Sequence, residues 1–190
     1  MTSCIDHLRT QRGELQKNRE AVMSRLQAMN AEQRAWKPGP KSWCALEVVD
    51  HLATTARQYG DKIEAALSNA PAAPDNAAPV KRTLVGRMIL MGVQPGFKMK
   101  IPAPKMFHPE SKVPDEGANV RFEQTHDRLD KLMEQSEGLA VSKIKFGTPV
   151  SPLLRLTVCE AFEILALHPA RHVAQLDRLT HHPDFPKSGA

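Results

Sequence analysis

Apolar residues recur along this 190-residue chain at three-, four- and seven-residue spacings, the period of helices with one buried face. Ile5, Leu8, Leu15, Val22, Leu26 and Met29 predict a first helix over about 5–29, with Gly13 a weak point inside it. "KPGPKS" (37–42) breaks the pattern. Leu46, Val49, Ala53, Ala56, Gly60, Ile63 and Leu67 then line one stripe of a second helix over about 44–67. Asp50, Arg57, Asp61 and Glu64 fall to another side of it. A third helix over about 118–136 carries Phe122, His126, Leu129, Leu132 and Met133 on one side. A fourth opens at Thr157, whose hydroxyl and Glu160 three residues on make a capping box, and runs to about Leu179.

Between the second and third helices the periodicity lapses. "SNAPAAPDNAAP" (68–79) cannot continue a helix, and 80–117 carries five prolines after "KRTLVGRMILMG", a short apolar helix candidate. Prolines at that density exclude helix interiors and central strands, so an extended crossover over the domain is expected. No strand-like alternation competes. The pattern predicts an all-α four-helix bundle, one domain over 1–190, with a Pro-rich crossover over about 68–117 and a tail over about 181–190.

Composition changes little in that picture. The hydrophobic fraction of 41% and charged fraction of 25% are those of a globular protein, and no apolar run is long enough for a membrane helix. There is no apolar leader at the N-terminus. Cys4, Cys44 and Cys159 are odd in number and scattered, which points to a cytoplasmic, reducing setting rather than a disulfide framework. The net charge of +5 is spread out, without the aromatic-basic interleaving of a nucleic-acid surface, so no nucleic-acid or membrane partner is expected.

The chemistry concentrates in "LALHPARHVAQLDRL" (166–180). On a helical wheel His168 and His172 fall within the arc of Ala161, Leu165, Leu176 and Leu179, with Gln175 at its edge. A spacing of four brings two imidazoles together on adjacent turns, as a helix does when it offers both to one metal ion. The alternative is a pair of core histidines bonded to neighbours. Pro169 removes the bond to the Leu165 carbonyl, so a kink or local widening is expected beside the pair. A third ligand is required, and His7, His51, His108, His126, His181 and His182 are the candidates. His126 shares an apolar face; His181 and His182 belong to a solvated tail. His51 lies nearer the polar flank of its helix, so periodicity does not select it.

"NAEQRAWKPGPKSWCALEVVDHL" followed far downstream by "HPARHVAQLDRL" resembles the DinB/YfiT-like superfamily of helical-bundle proteins. The resemblance rests on Trp43, Leu46, Glu47, His51 and Leu52, then His168, His172 and Gln175, and covers helices one, two and four. It implies an up-down-down-up bundle with His51, His168 and His172 around a divalent metal, zinc best suited, with nickel, iron or manganese as alternatives. It further implies a metal-dependent hydrolase, or a transferase using a low-molecular-weight thiol as cosubstrate on a small-molecule substrate. A homodimer fits the same resemblance. A non-catalytic bundle that binds a small molecule or serves a stress response is the rival. Glu47 is the candidate general base, or only a first-turn acid; Gln175 and Arg171 are candidates for substrate contact. Two departures stand out: Cys44 occupies the usual serine cap position, leaving Ser42 as the expected cap, and Pro169 interrupts the paired histidines.

Overall fold

A computed structural model describes residues 3–73, 79–97, 99, 102–110 and 115–187; the expectations for the remaining positions of the linker, crossover and tail lie outside them. The chain is mostly helical. Four long helices, α1 (Cys4–Gln27), α3 (Ala45–Leu67), α5 (Gly117–Gln135) and α6 (Val158–Thr180), are joined by the short α2 (Ala31–Ala35) and by α4 (Leu84–Val93). α1 packs on α6 and α5, and α3 on α5 and α6. The start of α3 corrects the expected cap. Cys44, not Ser42, is the N-cap, and the Glu47 carboxylate accepts from the Cys44 amide at 2.9 Å. The box expected at Thr157 is present, its hydroxyl accepting from the Glu160 amide at 3.2 Å.

The pattern missed a small antiparallel hairpin, β1 (Lys145–Gly147) with β2 (Arg155–Thr157), that leads into α6. Gly147 is required at its turn, because a Cβ there would lie 2.6 Å from the Cα of Pro152. The tail also differs from expectation. Residues 181–186 fold back, Trp36 packing against Phe185 and His182 at ring distances of 5.4 and 5.2 Å.

α4 lies in the crossover and docks on α6. Glu160 holds it: one carboxylate oxygen accepts from the Thr83 amide at the start of α4, the other from the Thr157 amide at 2.8 Å. Arg82 grips Glu163 with two bonds of 2.9 and 2.6 Å. A Cβ on Gly86 would collide with the Glu160 carboxylate, so the helices meet closely there. The outer stripe of α4, Leu84, Met88 and Met91, is exposed.

The interior divides into two apolar clusters. One contains Leu8, Leu15, Ala56, Ile63, Leu129 and Ala166; the other contains Val22, Leu26, Leu52, Ala53, Phe122 and Leu176. Between them each long helix presents buried polar groups: Asn18 from α1, Thr54 and Thr55 from α3, His126 from α5 and His172 from α6. Burying such groups without partners costs about 1–3 kcal/mol each, so a polar layer across all four helices calls for an explanation.

Candidate metal centre

α6 runs unbroken through Pro169, and in that turn Asn18 Nδ2 donates to the Ala166 carbonyl at 2.8 Å. His168 and His172 therefore stay on one face, with their Nε2 atoms 3.0 Å apart. His51 reaches them from α3, its ring centroid 5.2 Å from that of His168 and 4.9 Å from that of His172. Each of the three offers a ring nitrogen, all within 4.8 Å of one another, and among the described residues this is the one histidine, cysteine or carboxylate group so gathered. His51 and His172 are buried and His168 is half-buried.

The second ring nitrogens are held in place. His51 Nδ1 lies 2.6 Å from the Phe107 carbonyl, which can only accept, so the proton is on Nδ1 and Nε2 is left as a lone pair. His172 Nδ1 lies 2.9 Å from Gln175 Oε1 and has the same assignment. His168 Nε2–H then donates to His172 Nε2. A ligating histidine is ordinarily anchored in this way through its other nitrogen. Phe107 belongs to a single 3-10 turn, Lys105–Phe107, in the crossover, so the proline-rich segment supplies part of the site. A backbone carbonyl leaves no trace in sequence pattern; only the long irregular segment hinted at it.

Electrostatics keep the rings neutral. Burial, followed by the neighbouring imidazole charge, lowers His172 to about 3. At His51 burial, helped by the charge of His108, outweighs the carbonyl bond and brings it to about 4. His168 is held well below the ordinary histidine value by burial, then by His172 and His51. Neutral imidazoles gathered at one point are the donor set that zinc and its divalent neighbours take, so the residues present can hold such a cation once His168 carries its proton on the ring nitrogen that faces away from it.

The other expected residues are placed as follows. Both Glu47 oxygens are engaged, one by the Cys44 amide and the other by Lys37 Nζ at 2.5 Å. Gln175 contacts His172. Arg171 donates to the carbonyls of Phe97 and Met99, each at 3.0 Å, and so ties the crossover to α6. His126, the alternative ligand, is not in the group: its Nδ1 bonds the Phe122 carbonyl at 2.8 Å, and its ring lies tilted, 4.0 Å from that of Phe122. The Trp43 ring stands 4.9 Å from His51 and 5.7 Å from the exposed His108, forming a wall of the site.

A mostly helical chain that draws three histidines from two helices to one point fits a metal-binding helical protein. The chain belongs to the DinB superfamily, whose family model matches residues 14–176. No curated protein and no solved structure matches it.

Proposed function

We propose that this chain is a divalent-metal-dependent enzyme built on an up-down-down-up four-helix bundle, with His51, His168 and His172 as ligands and zinc the best-suited metal. Nickel and iron suit the same imidazole donors, and manganese is the further alternative. The observation that carries the reading is the convergence of three neutral imidazole nitrogens within 4.8 Å in a buried layer. A cation there supplies a Lewis acid that lowers the pKa of a thiol or water at an open position.

The chain's own residues supply the rest. The Phe107 carbonyl and Gln175 orient two ligand rings. Trp43 gives the site an apolar wall, and Arg171 keeps Phe97 and Met99 beside α6. Glu47, the candidate base, has both oxygens taken, one by the Cys44 amide and the other by Lys37. A hydrolase works best with a carboxylate or histidine base next to its water, whereas a thiol loses its proton more readily. Transfer of a low-molecular-weight thiol to a small-molecule substrate is therefore our first reading, and hydrolysis the second. The exposed stripe of Leu84, Met88 and Met91 is the surface available to a homodimer. No described helix is long and apolar enough to cross a membrane, in keeping with our proposal of a cytoplasmic enzyme.

The test is elemental analysis of protein purified from metal-supplemented culture, paired with thiol-conjugation and ester or amide hydrolysis assays under zinc, nickel, iron and manganese. We expect about one metal per chain, lost in His51→Ala together with the conjugation activity. A chain that takes up no metal overturns the enzyme reading in favour of a non-catalytic small-molecule-binding bundle.

A further inference from the structure

The first and last long helices begin side by side. Cys4 is the opening residue of α1 and Cys159 the second residue of α6; 155 positions separate them, yet their Sγ atoms lie 2.8 Å apart with no exposed surface on either residue. Neither is in a disulfide. That separation is inside the ordinary contact distance of two sulfurs, and a disulfide of about 2.05 Å needs a further approach of only about 0.75 Å. The surroundings hold both backbones. Ser3 caps α1 by accepting from the Asp6 amide at 3.2 Å, and Thr157 caps α6 by accepting from the Glu160 amide at 3.2 Å. Cys44, the third cysteine, is the cap of α3 and belongs to the other apolar cluster.

We propose that Cys4 and Cys159 are an oxidisable pair that closes into an intrachain disulfide on reaction with a low-molecular-weight disulfide, joining the start of α1 to the start of α6. One cysteine, as thiolate, attacks a sulfur of the small disulfide R–S–S–R. The bond between its sulfurs breaks, and one R–S⁻ leaves and takes up a proton. The other cysteine, after losing its proton, attacks the protein-side sulfur of the mixed disulfide, forms the Cys4–Cys159 bond and expels the second RSH. Two protein thiols are oxidised and one small disulfide is reduced to two thiols.

Access sets the rate. Both sulfurs are covered, so the attack requires the opening turn of α1 to fray, as helix ends do. The shared thiol contact, then burial and the charges of Glu160 and Glu163, push the Cys159 thiol up, which makes exchange slower than at an exposed cysteine. A slow but geometrically prepared closure is the expected behaviour. The bond would close a loop of more than 150 residues, near the upper end of what a cross-link contributes, and should raise the melting temperature by roughly 10 °C.

The experiment incubates the native full chain, and a Cys44→Ser variant that leaves the pair intact, with oxidised glutathione. Unreacted thiols are then alkylated, and intact mass and peptide mapping are read. We expect alkylation to fall from three sites to one in the parent chain and from two to none in Cys44→Ser. The mass should show the loss of two hydrogens, a Cys4–Cys159 peptide should appear, and melting should shift upward. A chain that keeps all its thiols, carries only mixed disulfides, or forms the bond only in denaturant overturns the proposal. So does a cross-link through Cys44 or to a second chain.

Discussion

Lowering the pH of the metal-free protein from 7 to 5 should remove a large part of the stability that a domain ordinarily has. His51, His126 and His172 are each at least nine-tenths buried, and burial lowers them to about 4, about 4 and about 3. In the unfolded chain each titrates near the ordinary 6.5. The unfolded state therefore binds more protons across this window, and stability falls as pH falls, beginning near 6.5 and continuing towards the folded values. Between pH 7 and 5 one such group is worth about 1.8 kcal/mol, so the three together remove roughly 5 kcal/mol. His168 and His7, also lowered mainly by burial, act in the same direction. Asp130, bonded to Arg12, is held below the usual carboxylate range and so stays out of this window. With a urea m value of about 2 kcal/mol/M, the midpoint should drop by roughly 2.5 M. Urea unfolding followed by circular dichroism at both pH values, with chelator present, measures it. The His126→Leu variant should lose about a third of the drop. A midpoint that moves by less than about 0.5 M would refute neutral burial of these rings.

Metal affinity gives a companion test: Gln175→Ala frees the His172 ring and should weaken zinc binding about 10- to 100-fold in a competition titration, with the fold intact. Gly147→Ala should destabilise by about 2 kcal/mol or more, because its Cβ meets the Pro152 backbone, which no side-chain rotation relieves; thermal denaturation reads this, and a loss below about 0.5 kcal/mol would contradict the contact. Arg171→Ala should release Gln94, Phe97 and Met99 from α6, giving faster amide exchange or proteolysis there while the unfolding midpoint moves little.

The four long helices were legible in the sequence because each keeps a sustained apolar stripe, and the paired histidines because they fall on one. His51 was not legible from periodicity. A wheel assumes that one face of a helix is buried, but α3 is buried on every side from Ala45 to Ala56, so its apparently polar flank is interior. Asp50, on that flank, is buried and paired with Arg121 at 2.7 Å. The motif resemblance supplied what the period could not. The hairpin escaped because three-residue strands carry too little alternation to register. The meeting of Cys4 with Cys159 escaped because sequence spacing holds no information about which helix starts become neighbours.

Because the interior is split by a hydrophilic stratum, the two ends of the molecule hold separate hydrocarbon compartments. Truncating Leu15 in one and Leu176 in the other should have independent costs that simply add. Either end is then free to drift in sequence without disturbing the other, while the stratum joining them has no such latitude.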